Sequence, residues 1–247
     1  MKKKMFLIIL VLLVFFFSGC TQISNNDNST YDDNSNKGNN DNILAGPTIQ
    51  ELVNREKRYD YSYSAQSISC PDGQDCKSPT NSTMKIGNSF GYTLSVSHRE
   101  DYNSYYLTDY NQMIVRQWAP GYLIDGSELE CHGFSIADTT RKTLIDLDAQ
   151  IVDRGQMLVD GKYVDCTHVI YYTYQKDNDG NDTEDVSLIY EQWIWDDYGV
   201  KVKTHIYRPP DNPHLTDFDT TSTMYNFVFD ELTILDFAYP DPCDIVD

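Results

Sequence analysis

A chain of 247 residues with a formal net charge of −19 has room for one sizeable folded domain plus extensions. Its acidity argues against nucleic acid and anionic lipid surfaces as partners of the folded part, because phosphate repels it and no Lys/Arg cluster follows the first four residues. Nineteen tyrosines and three tryptophans favour strands over helices, so a mostly β protein of the α+β class is expected.

Met1 to Met5 carries three lysines, and Phe6 to Phe17 is an unbroken apolar run of the length of a signal-peptide core, too short to span a bilayer easily. It ends in Phe17-Ser18-Gly19-Cys20, which resembles the lipobox of prokaryotic lipoproteins although Phe17 stands where leucine is usual. By that resemblance residues 1–20 form an export signal, Cys20 becomes the lipidated first residue, and the protein sits on the outer face of the cell membrane. Residues 21–43 are almost wholly Asn, Asp, Ser and Thr, a composition with nothing to bury, and read as a disordered tether. Three Asn-x-Ser/Thr sequons, at Asn28, Asn81 and Asn181, fall in polar, turn-like stretches and are candidate glycan acceptors.

The folded domain is expected over residues 44–247. Pro47 to Val53 predicts a short amphipathic helix closed by Lys57 and Arg58. Tyr59, Tyr61, Tyr63 and Ala65 then alternate with polar residues as a half-buried strand. Met84 to Ser97 reads as one long strand, with Met84, Ile86, Phe90, Tyr92, Leu94 and Val96 on a single face. Tyr105 to Leu107 and Gln112 to Trp118 suggest a hairpin about Asp109-Tyr110-Asn111, after which the period fades. Asp138 to Ile145 looks like an Asp-capped helical segment lying across the sheet. Strands resume from Ile151 to Val159 and from Tyr163 to Tyr174, about an Asp160-Gly161 turn. Tyr225, Phe227 and Phe229 alternate in the last long strand.

The strongest local pattern is Leu188 to Tyr207, a β-hairpin with Asp196-Asp197-Tyr198-Gly199 at its tip. An even loop sets Trp195 opposite Val200, Trp193 opposite Val202, Glu191 opposite Thr204 and Ile189 opposite Ile206, a mostly apolar face. Ile194 with Lys201, Gln192 with Lys203 and Tyr190 with His205 then form the face expected in water. The run Trp193 to Val202, together with the late strand Tyr225 to Leu232, resembles the LolA/LolB-like lipoprotein-sorting group, especially its exported archaeal members. The resemblance covers residues 43–247 and implies a curved antiparallel sheet forming an incomplete β-barrel lidded by short helices. It further implies a concave apolar face for a lipid or the acyl chain of a lipoprotein, with no catalytic residue. Phe90, Tyr92, Trp193, Trp195, Phe227 and Phe229 are the candidate ligand-facing wall, and simple core packing would produce the same alternation.

Once Cys20 is set aside, five cysteines remain in an oxidising compartment. Cys70 and Cys76 close a short turn-rich loop and are expected to pair; Cys131 with Cys166 is the preferred second disulfide, leaving Cys243. The Cys131-His132 and Cys166-x-His168 spacings raise a zinc site, but adjacent Cys and His cannot easily aim at one ion, so no metal and no cofactor is expected. Nucleophile elbow, zinc-protease helix, P-loop and dinucleotide motifs are all missing from the sequence. The expectation is therefore a monomeric, lipid-anchored, non-catalytic binding protein. A structural or adhesive envelope module with a filled core is the alternative, and a carboxylate-based hydrolase a weaker one.

Overall fold

The computed structural model describes residues 46–70, 75–124, 127–135, 142–176, 182–209 and 219–246. The chain enters through helix α1 (Ile49–Glu56), which Thr48 caps. Its Oγ1 accepts the Glu51 N–H while the Glu51 carboxylate accepts the Thr48 N–H, a reciprocal pair that satisfies two otherwise orphaned donors. Leu52 and Val53 are the buried residues of this helix.

Among the described residues twelve strands follow: β1 (Tyr61–Ser69), β2 (Thr80–Gly87), β3 (Tyr92–His98), β4 (Asn103–Asp109), β5 (Ile114–Ile124), β6 (Ser127–Ser135), β7 (Gln150–Val159), β8 (Lys162–Lys176), β9 (Asp182–Trp195), β10 (Val200–Tyr207), β11 (Asp219–Phe229) and β12 (Asp244–Val246). They make one sheet in the order β12-β6-β5-β4-β3-β2-β1-β11-β10-β9-β8-β7, antiparallel everywhere except β12 on β6. The sheet is open, because β12 and β7 are both edges. It is also curved. Asp160 in the β7–β8 turn accepts the Asn226 and Phe227 N–H groups of β11 at 2.6 and 2.9 Å, although β8 and β11 are three steps apart, roughly 14 Å in a flat sheet. Asn226 has φ +55 and lies where the β1–β11 register shifts, so Asp160 caps the amides that the bulge leaves over.

Several expectations from the sequence are met and several corrected. The Asp160-Gly161 turn has both residues at positive φ with Val159 opposite Lys162, the two-residue hairpin loop expected. Met84 to Ser97 is two strands rather than one: the chain turns over Asn88 to Gly91, where Gly91 has φ +74 and Gly87 pairs with Tyr92. Folding back about an even loop sets Ile86 beside Thr93 and Lys85 beside Leu94, so the apolar residues divide between two clusters. Met84 and Ile86 join Tyr61, Tyr63, Val200, Trp195, Phe227 and Phe229. Leu94, Val96, Phe90 and Tyr92 join Leu107, Trp118 and Cys131 under Phe237 of a 3-10 turn, Ile234–Phe237. Strands β6 and β12 were not expected; β5 carries two register irregularities between Gln117 and Leu123 that break the alternation there. Of the segment Asp138 to Ile145, residues 138–141 lie outside the described residues, and Thr143 to Ala149 forms hydrogen-bonded turns rather than a helix.

Disulfides join Cys70 to Cys76 and Cys131 to Cys243, while Cys166 is free and buried. The expected pairing of Cys131 with Cys166 is therefore corrected: Cys166 lies on β8 against Trp195 and Val202, at the far end of the sheet from β6. Cys20, Asn28 and Asn181 lie outside the described residues, whereas Asn81 is exposed on β2.

Candidate functional site

The site is built on the β9–β10 hairpin. Its tip is an even loop, as expected, and of its two possible lengths the four-residue one, with Trp195 opposite Val200 and Ile194 opposite Lys201. A bulge between Lys201 and Lys203 then moves the register by one, so that Trp193 meets Lys203, Gln192 meets Thr204 and Tyr190 meets Ile206. The Trp193–Val202 pairing and those beyond it are corrected accordingly. Val202 stays buried, packed with Cys166, Trp193 and Trp195, which is why two apolar residues on β10 conceal the bulge in the sequence.

The face expected in water is covered as well. Ile194 and Val169 are buried against Leu52 of α1. Helix α1 sits so close to the tip that its Leu52 carbonyl passes over Gly199, which has φ +72. Arg55 Nη1 donates to the Asp196 carbonyl at 2.6 Å, and Arg154 reaches both Thr167 Oγ1 and the Pro47 carbonyl at 2.6 Å, with the Asp196 carboxylate 3.7 Å away. The helix is thus fastened at both ends to the sheet.

Between α1, the sheet and three loop tips lies a cavity of about 690 Å³, within the range of small-molecule sites. Its floor is Tyr171, Gln192, Ile194, Gly199 and Lys201 from β8, β9, the hairpin tip and β10. Glu56 and Lys57 at the end of α1 form one side, and Gly87, Asn88, Gly91, Tyr92 and Thr93 of the β2–β3 turn another. Tyr110 and Met113 come from the β4–β5 turn, and Lys142, Thr143, Leu144 and Leu147 from the loop before β7. Asn88 locks two of these parts together: its side-chain amide donates to the Glu56 and Tyr59 carbonyls, both at 2.8 Å, just past the helix end. Asn111 does likewise, donating to the Phe90 carbonyl at 2.8 Å.

The floor is held in place by stacking and hydrogen bonding. Tyr171 is buried, stacks on Tyr190 at 4.7 Å between ring centres, and accepts a hydrogen bond from Gln192 Nε2 at 3.1 Å. Burial, with Tyr190 adding to it, pushes its hydroxyl well above the ordinary tyrosine range, so it stays neutral. At the rim, hydrogen bonds from the Thr143 N–H and hydroxyl hold the Asp146 carboxyl below its usual range, with Lys57 and Lys142 adding to the effect.

Of the six aromatic residues proposed as a ligand wall, Tyr92 lines this cavity. Phe90 and Tyr92 both pack on Phe237, at 6.1 and 5.7 Å between ring centres. Trp195 makes edge contacts with Tyr198, Phe227 and Phe229 in a ring cluster shared with Tyr59. Trp193 stacks on His168 at 4.3 Å between ring centres, and the Lys203 ammonium lies over its ring at 4.6 Å from the centre. Sequence reasoning passed over Ile194, Tyr171 and Lys201, whose signal was present as the strand face opposite the tryptophans.

On that tryptophan face titratable groups alternate: Asp153, His168, Glu191, His205 and Asp219 follow one another, the closest contact being His205 Nε2 to Asp219 at 2.9 Å. Among the described residues no three His, Cys, Asp or Glu side chains are grouped to hold a metal ion.

No protein-family model and no curated protein matches the chain. Solved structures do. An uncharacterized conserved protein from Thermus thermophilus is 8% identical, with TM-score 0.47, over 80% of this chain and 97% of that one. The MucA/MucB complex of Pseudomonas aeruginosa is 11% identical, with TM-score 0.42, over 80% of this chain and 62% of that one. The LolA superfamily protein NE2245 from Nitrosomonas europaea is 8% identical, with TM-score 0.35, over 78% of this chain and 99% of that one.

Proposed function

We propose that this chain is an exported, lipid-anchored protein that holds an apolar ligand, a lipid or a lipoprotein acyl chain, without chemistry. The cavity beneath α1 carries the reading. A filled core leaves almost no void, whereas here about 690 Å³ stands open above Ile194, Leu144 and Leu147. Tyr92 is the member of the expected aromatic wall that would touch the ligand; Phe90 supports it from the Phe237 cluster, and the other four serve as packing. Two disulfides fit an oxidising compartment, in keeping with an export signal at residues 1–20 and attachment to the outer face of the membrane through Cys20. Anchoring suits a stationary holder better than a shuttle.

The test uses chain produced from Thr21 onward. Native mass spectrometry should show a co-purified lipid-sized adduct, and delipidated protein should bind a neutral sixteen-carbon alcohol with saturable stoichiometry. Absence of both would favour the envelope-module reading, in which the sheet is only a scaffold.

A further inference from the structure

The chain carries −19 overall, yet three lysines converge on its cavity. Lys57 closes α1, Lys142 lies in the loop before β7, and Lys201 lies on β10 directly opposite Ile194. Lys57 and Lys142 are exposed at the rim, while Lys201 is half-buried on the floor. Among the described residues none of the three has a carboxylate within ion-pair distance. By contrast Lys85 pairs with Asp236 at 2.8 Å, and Arg116 lies 3.5 Å from Asp109.

Two carboxylates also face this region. Glu56 accepts the Tyr61 hydroxyl at 2.6 Å, and Asp146 is occupied by Thr143 while feeling the charges of Lys57 and Lys142. Three cations against two engaged carboxylates leave the cavity locally positive within a strongly negative molecule. A half-buried ammonium beside apolar side chains gains most from an anion that brings its own hydrocarbon, because the pair is then shielded from water on both sides.

The hydrocarbon fits: taking each methylene at the ~30 Å³ that a water molecule occupies in the liquid, a sixteen-carbon chain needs about 480 Å³. The half-open cavity of about 690 Å³ takes it in full.

Resting on the binding function above, we propose that the ligand is a single-chain amphiphile with an anionic head, such as a long-chain carboxylate. Its head pairs with Lys201 under the rim lysines Lys57 and Lys142, and its tail lies over Ile194, Leu144 and Leu147.

Delipidated chain from Thr21 onward is titrated with a sixteen-carbon carboxylate, the sixteen-carbon alcohol and vesicles of a two-chain anionic phospholipid. The carboxylate should bind at least roughly tenfold more tightly than the alcohol, the size of one charge-assisted contact, and lose that advantage as salt rises. Lys201→Gln should bring the carboxylate and alcohol affinities together and remove the salt dependence of carboxylate binding. Lys57→Gln with Lys142→Gln, both at exposed positions, should cost several-fold in carboxylate affinity without altering the thermal melt. Equal affinity for carboxylate and alcohol in the unaltered chain would overturn the head-group assignment while the binding function stood, and extraction of phospholipid in preference to carboxylate would overturn the assignment of a single-chain ligand. Failure to bind any of the three would remove the binding function itself.

Discussion

Replacing Gly199 by alanine tests how α1 is seated. A Cβ at Gly199 would run into the Leu52 carbonyl oxygen and lie 2.8 Å from the Glu56 nitrogen, both backbone atoms that cannot swing aside as a side chain would. The residue also has φ +72, a conformation that costs an L-residue about 1–2 kcal/mol. Overpacking a fitted site adds typically about 1–3 kcal/mol, so the expected loss is about 2–5 kcal/mol. With a urea slope of about 2 kcal/mol/M, the unfolding midpoint should fall by roughly 1–2.5 M. Gly161→Ala is the internal control, since Gly161 has φ +79 but nothing within 4 Å of its missing Cβ. It should lose only the backbone part, about 1–2 kcal/mol. Equal losses for the two alanines would refute the close seating of α1 on the hairpin tip. Because Glu56 and Lys57 line the cavity, Gly199→Ala should also weaken ligand binding where Gly161→Ala does not.

Removing the long-range disulfide with Cys131→Ser and Cys243→Ser, 112 residues apart, should cost about 2–5 kcal/mol in a calorimetric or denaturant melt. In chain from Thr21 onward, Cys166 should resist iodoacetamide at pH 8 while folded and react once unfolded without reductant; burial, reinforced by Asp196 and Asp165, pushes its thiol up to about 12. Its raised value means that the stability it supports is complete below its ordinary pKa of 9.0 and is lost as pH rises toward about 12. Asp236 behaves oppositely: the Lys85 hydrogen bond, with the Thr233 N–H, lowers it from 3.8 to about 2. Stability gained there is present above pH 3.8 and lost as pH falls toward 2, and Asp236→Asn should flatten that part of an acid-unfolding curve. Asp160→Asn keeps a residue tolerant of φ +48 but removes the charge from two amide contacts. A loss of about 1–2 kcal/mol in a urea melt is expected, and no change would show that Asp160 does not hold the curvature.

What could be read ahead of the structure was local. The helix expected over Pro47 to Val53, the Asp160-Gly161 turn and the even-loop tip at Asp196 to Gly199 each carry their own turn or helix-end chemistry within a few residues. The errors share one physical origin, since period-two alternation survives events that reverse facing. The turn over Asn88 to Gly91 preserves the apolar rhythm from Ile86 to Tyr92 while sending the chain back, and the bulge after Lys201 hides behind Val200 and Val202. Assignment of the covered face failed for a related reason. Tryptophans signal burial, yet both faces of β9 are packed, with Trp195 in a ring cluster and Ile194 beneath the helix. Cys243 could be matched to Cys131 only by knowing that β12 runs beside β6. Nothing in the spacing of five cysteines encodes that.

An open sheet of this length has two edges where another chain could add a strand. On the β7 edge, Asp153, Arg154 and Gln156 interrupt the apolar residues with charged and polar groups, a pattern that discourages such addition. The β6 edge is shielded differently, by three residues of β12 that follow directly on Cys243 and its bond to Cys131. So short a strand holds poorly by its own ladder. Reduction of that one bond would therefore loosen β12 and bare the β6 backbone, so the Cys131–Cys243 bond guards a sheet edge as well as adding stability.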